Sequence, residues 1–213
     1  MTPHKAGHRL PAKILGAGAL ASGAALVTHI LSGISLGLAI IVAIVLVSLV
    51  IAMLWKRIAF QERRRLATYV KVGFLAGCFA TASYDTAKFA LSQLDPSPYN
   101  PFEAIRIFGI LLANSASPTT IIYATGTAFH FLNGITFGIA FCLLFKRHSI
   151  LTGIFWGIIL ELFQLTLFPG WLDIRFYQEF IQISALSHII YGVILGLTCQ
   201  YLLKRHASEK EVL

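Results

Sequence analysis

The sequence has few charged residues, which make up 12% of its 213 positions; a typical soluble domain has roughly 25%. Hydrophobic residues make up 57% of the chain, and the mean hydropathy is +0.76. The chain also lacks a Gly-x-Ser-x-Gly motif and a phosphate-binding loop, which argues against a soluble hydrolase or a nucleotide-dependent enzyme. The composition indicates an integral membrane protein. It favours a non-enzymatic protein and leaves an enzyme open.

Cysteine is also scarce. Its three positions, Cys78, Cys142 and Cys199, each fall inside a predicted membrane span and have no paired spacing. They therefore predict neither a disulfide framework nor a zinc finger. We interpret them as buried, inert thiols.

Long apolar runs predict an all-α polytopic bundle of six transmembrane helices in a single domain over residues 1–213. The uncharged run 14–55 is about twice the length of one span, so we divide it near Ser32, although one span or two stays open. The predicted spans are 14–31, 35–55, 66–91, 119–145, 149–168 and 181–203. Residues 102–115, which follow a proline-rich turn, predict a short interfacial or re-entrant helix.

Basic residues gather at alternate helix ends, with the largest group in residues 56–71. Loops retained in the cytoplasm carry such an excess, so both termini are predicted to be cytoplasmic. The net charge of +8 is then explained by contact with anionic lipid headgroups and without nucleic acid. The N-terminus resembles a signal peptide, and we expect it to stay uncleaved as the first span.

A repeated phrase, His-x-x-x-Gly-x-x-x-Gly, opens two similar segments at His130 and at His188. Each histidine lies sixteen residues before a lysine, Lys146 or Lys204. Sixteen helical residues span roughly 24 Å, which places the two imidazoles at one depth in the outer part of the membrane. Ionisable side chains are costly there, so both are candidates for ligand binding or proton handling.

Small residues at four-residue spacing continue from these histidines along the same helix faces. Such stripes let helix backbones approach closely inside a membrane. The predicted packing positions are Gly126, Gly134, Gly138, Gly192 and Gly196. We therefore expect the histidines to face other helices and not lipid.

Other polar residues reach a similar depth. Asp85 and Glu161 lie inside spans and need partners to stay charged. The residues that could act as hydrogen-bonding partners of these two acids are Tyr84, Asn114, Asn133 and Gln164. His29 is a further candidate, although an interfacial position at a helix end is the favoured interpretation. Asp85 could instead pair with Lys88 on its own helix and extend to the surface.

From Phe129 to Arg205 the sequence resembles the YagU-like family of small bacterial inner-membrane proteins. The resemblance rests on His130, on Gly153 and Gly157, on a Phe168-Pro169 turn, and on Glu179 followed by His188. Residues 73–77 in the third span also fit. The resemblance implies a multi-pass protein of the bacterial inner membrane, and it implies no particular activity.

Three function classes remain open. The first is proton or small-solute handling through an intramembrane layer of histidine and acid residues. The second is a metal- or haem-binding protein with His130 and His188 as ligands. The third is a noncatalytic accessory or structural protein. The cofactor is unknown; the expected partners are the lipid bilayer and a second copy in a homo-oligomer, with no nucleic acid.

Overall fold

The computed structural model describes residues 10–167 and 176–211, and the side chains up to residue 208. The predicted turn at Phe168-Pro169 lies outside these residues. Within them the chain forms helices and no strand, as the sequence predicts. The eight helices are α1 (Leu10–Gly18), α2 (Ala21–Ser32), α3 (Leu36–Arg57), α4 (Phe60–Leu94), α5 (Glu103–Ala113), α6 (Thr119–Leu144), α7 (Ile150–Leu167) and α8 (Tyr177–Glu211).

Five of these helices, α3, α4, α6, α7 and α8, are long and apolar enough to cross a membrane. The pair α1 and α2 brings the number to six if it forms one bent span. The predicted all-α bundle of about six spans is therefore confirmed as a fold class, and α5 is the predicted short helix.

The first predicted span, 14–31, is wrong as a continuous helix. The chain bends by 47° between Gly18 and Ala21. Glycine-rich sequence makes this stretch a weak helix former, and both pieces pack closely on α6. A Cβ at Gly16 would lie 2.7 Å from the Leu144 side chain, and one at Gly23 would lie 2.8 Å from Phe137. The bend lets both pieces follow α6.

Helix α4 is central to the bundle because it packs against both α6 and α8. Helix α7 packs on the other side of α8, while α1 and α5 pack on α6 and α2 pairs with α3. The apolar core lies where α4, α6, α7 and α8 meet. It includes Ala76, Ala80, Phe141, Trp156 and Leu195. By contrast, most of α3 is exposed, as expected for a helix surrounded by lipid.

The predicted packing glycines lie in the contacts between these helices. A Cβ at Gly138 would lie 2.7 Å from the Cα of Gly77 on α4. Gly192 and Gly196 face the backbone of α7, Gly126 faces Ile105 of α5, and Gly134 faces Thr81. At Gly126, Gly138, Gly192 and Gly196 the nearest atoms are backbone atoms, so a larger residue would push the helices apart. At Gly134 the nearest atoms belong to the Thr81 side chain.

Of the three thiols predicted to be buried, Cys142 and Cys199 are buried, whereas Cys78 is only partly buried. Cys142 of α6 and Cys199 of α8 are free thiols with their Sγ atoms 2.7 Å apart, buried in the core. Their contact joins two helices that are distant in sequence, which spacing alone could not indicate.

Candidate functional site

The first part of the site is a histidine–carboxylate pair between α4 and α6. His130 Nε2 lies 2.9 Å from Asp85 Oδ1, and the side chains are 19% and 21% exposed. The two residues meet because Gly77 and Gly138 let α4 and α6 approach closely on the same faces. Asp85 thus has a partner on another helix, and the alternative pairing with Lys88 at the surface is not what the structure shows.

The second pair joins α7 and α8 and is more deeply buried. His188 Nδ1 lies 2.6 Å from Glu161 Oε2, with the side chains 11% and 6% exposed. Ser184 Oγ donates to the same carboxylate oxygen at 2.7 Å, and Gln164 Nε2 donates to Ser184 Oγ at 2.9 Å. Gly157 packs against the backbone carbonyl of His188 and brings α7 close enough for these bonds.

Tyr84 links the two pairs. Its ring centre lies 5.8 Å from that of His130 and 4.8 Å from that of His188, the latter in an edge-on arrangement. Tyr191 of α8 donates from its hydroxyl to the backbone oxygen of Gly134 at 2.9 Å. The histidines of the two repeated phrases therefore both lie beside one aromatic side chain.

A cavity of about 140 Å³ adjoins this layer. Its polar lining includes Asp85, Lys88, His130 and His188, together with Asn133, Gln164 and Tyr84. Its apolar lining comes from α2, α5, α6 and α7 and from the residues just before α5. Toward Lys71 the cavity ends near Thr81, Gly134 and Tyr191, beyond which α4 and α6 pack tightly.

The segment between α4 and α5 borders the opposite end of the cavity through Pro101 and Phe102. The Ser97 side chain and its backbone N–H, 2.8 Å from Asp95 Oδ1, lower the pKa of Asp95. Burial, and then the nearby negative charge of Glu161, raise the pKa of Tyr99 above its ordinary range. Because Pro101 and Phe102 line the cavity, this segment borders one end of the site. The charge pattern predicts that this end is extracytoplasmic.

The remaining sequence candidates divide into those at the site and those away from it. Asn133 lines the cavity, and its Oδ1 is buried with no hydrogen-bond partner among the described residues. His29 is elsewhere: its Nδ1 lies 2.8 Å from the carbonyl oxygen of Ile34 in the α2–α3 turn, and it does not line the cavity. Asn114 ends α5 and is also absent from the lining.

Two site residues were not recognised from the sequence. Ser184 belongs to the stripe that contains His188, and it donates directly to Glu161. Lys88, interpreted as a surface residue, is 5% exposed and lines the cavity. The available signals were the position of Ser184 four residues before His188 and the position of Lys88 one turn after Asp85.

The metal alternative finds limited support in the geometry. Across residues 10–167 and 176–211, no group of three or more histidine, cysteine, aspartate or glutamate side chains is arranged to hold a metal ion. His130 and His188 each use a ring nitrogen to contact a carboxylate. In the described part of the chain these histidines are members of two pairs and not of one ligand cluster.

Comparison with protein-family models, with curated proteins and with solved structures found no match for this chain. The resemblance to the YagU-like family therefore stays a prediction.

Proposed function

We propose that this protein is a multi-pass protein of the bacterial inner membrane, with both termini in the cytoplasm, that moves protons together with a small solute. The observation that carries the proposal is that two histidine–carboxylate pairs, on four different helices, flank Tyr84 beside one cavity. Ionisable side chains in spans are rare, and they mark proton and solute pathways.

A histidine–carboxylate pair suits proton exchange inside a membrane. Histidine is the side chain whose ordinary titration lies nearest to neutral pH. A neighbouring carboxylate stabilises the imidazolium form, so the proton need not be carried as an isolated buried charge. In the Asp85–His130 pair about one fifth of each side chain is exposed, so water in the cavity can deliver or remove the proton.

The Glu161–His188 pair is positioned to respond to the first. Tyr84 contacts both histidine rings, so a change in the charge or position of His130 reaches His188 through one side chain. Glu161 also accepts from Ser184, which is bonded to Gln164, and Gln164 lines the cavity. Solute and proton would thus act on one connected set of polar groups.

The test is proton flux in proteoliposomes, driven by an imposed pH gradient with small neutral and anionic solutes supplied in turn, and followed with a pH-sensitive dye enclosed in the vesicles. The parent protein should exceed protein-free vesicles, and His130→Ala should fall to that background because the exposed pair is lost. The matched control is His29→Ala, which removes a histidine away from the cavity and should retain the parental rate. A parent rate equal to the background, or an unchanged rate in His130→Ala, would overturn the proposal.

A further inference from the structure

Lys88 is a buried cation that is not paired with an acid in the described part of the chain. It lies on α4 one turn beyond Asp85, is 5% exposed and lines the cavity. Asp85 is paired with His130 and Glu161 with His188. Lys88 forms no salt bridge with any residue in the described part of the chain, and its Nζ lies 5.5 Å from the centre of the Tyr84 ring.

When both histidines are protonated, each histidine–carboxylate pair is neutral overall, and Lys88 is then the charge at the site without a direct counter-ion among the described residues. A buried ammonium group is costly unless it is paired and hydrogen-bonded. Its contact with the Tyr84 ring offsets only part of the cost of removing the ammonium group from water. An anion in the cavity would supply the missing acceptor, since no carboxylate of the described residues forms a salt bridge with Lys88.

The rest of the cavity restricts what that anion can be. The walls away from Lys88 are apolar and partly aromatic, with Leu26, Phe108, Phe137 and Phe163 among them. The volume of about 140 Å³ is close to that of an engineered apolar cavity of about 150 Å³ that binds benzene. The space therefore fits one compact apolar group.

We infer that the cavity binds a small monocarboxylate with a compact apolar body, whose carboxylate pairs with Lys88. The inference rests on the proposed function in that this anion would be the solute that moves with the proton. A neutral or cationic analogue of the same shape would leave the ammonium group uncompensated.

Three probes of nearly equal shape separate these cases: benzoate, benzyl alcohol and benzylamine. Calorimetric titration of the purified full-length protein in detergent should show benzoate binding at least about tenfold more tightly than either analogue, a difference of about 1.4 kcal/mol. Equal or tighter binding of benzyl alcohol or benzylamine would overturn the inference.

Variants then assign the preference to Lys88. Lys88→Met should weaken benzoate binding about tenfold and remove the preference over benzyl alcohol, whereas Lys88→Arg should retain it. Lys71→Met is the matched control, because Lys71 is exposed on the same helix, and it should bind benzoate normally. Val27→Phe places a ring into the cavity wall and should abolish binding with the charge intact. Unchanged benzoate affinity in a folded Lys88→Met or Val27→Phe protein would contradict the assignment.

The two proposals can fail separately. Proton flux that depends on His130, without benzoate binding, would overturn the monocarboxylate inference and leave proton transport standing. Benzoate binding that depends on Lys88, in a protein with no proton flux, would overturn the proposed transport and leave the anion site standing.

Discussion

The two histidine–carboxylate pairs have the same chemistry and different surroundings. In the Asp85–His130 pair about a fifth of each side chain is exposed, and the pair lines the cavity. The Glu161–His188 pair is 6% and 11% exposed and receives a further hydrogen bond from Ser184. Both histidines begin the same repeated phrase, so sequence context alone does not decide what such a histidine does.

The difference suggests a division of roles. The exposed pair can exchange protons with water in the cavity, whereas the buried pair holds α7 against α8 and contacts the first pair through Tyr84. The same buried charge that stabilises a helix contact when it is paired becomes costly when its partner is removed. His188→Ala should therefore lower stability more than His130→Ala does, whereas His130→Ala should lower proton flux more than His188→Ala does.

The largest expected effect is the loss of stability in His188→Ala. Removing the histidine leaves the Glu161 carboxylate buried without its histidine partner, at a cost of about 3–5 kcal/mol. His130→Ala is the matched substitution, and it should cost about 1 kcal/mol because Asp85 remains reachable by water. Reversible unfolding in mixed detergent micelles measures both values. If His130→Ala is destabilised as much as His188→Ala, the two pairs contribute equally to stability despite their different burial.

The second effect is smaller and concerns the extra hydrogen bond of the buried pair. Ser184→Ala removes the hydroxyl that donates to Glu161 and should cost about 1.5–3 kcal/mol, the range for a hydrogen bond to a charged group. Ser187→Ala is the control on the same helix, since its equally buried hydroxyl donates only to the backbone oxygen of Ile183. The same unfolding measurement should show little change there. Equal losses would mean that Ser184 acts as a packing residue.

Much of the fold could be predicted from the sequence because apolar runs are separated by charged or proline-rich segments. The predicted span 119–145 and the observed helix Thr119–Leu144 nearly coincide. The bend between Gly18 and Ala21 could not be found in this way. It lies within one apolar run and depends on close packing against α6, which is a contact between distant parts of the chain.

The candidate site divides along the same physical line. The helical rise predicts depth along the membrane normal, so counting residues from Lys146 and Lys204 brought His130 and His188 to one layer. Depth does not say which helices are neighbours. The contacts of Asp85 with His130 and of Glu161 with His188 depend on the order of the helices in the bundle, and so does the burial of Lys88.

A third histidine, His148 between α6 and α7, sharpens the comparison because it forms no salt bridge with a carboxylate among the described residues. The His148 ring packs against the rings of Tyr69 and Phe141, and its Nε2–H donates to the carbonyl oxygen of Cys142 at 3.1 Å. Burial lowers the pKa of His148 from its ordinary value of 6.5, opposed in part by that hydrogen bond. The folded protein therefore binds this proton less readily than the unfolded chain does. The resulting stability is present above the ordinary pKa of histidine and is lost as the pH falls toward the lowered pKa of His148.

On acidification from about pH 7.5 to about pH 5.5, the parent should lose more thermal stability than His148→Gln, by the smallest margin of the three effects. Melting temperatures in detergent at the two pH values measure this. An identical pH dependence in the two proteins would show that a buried histidine in this bundle needs no acid partner to tolerate a proton.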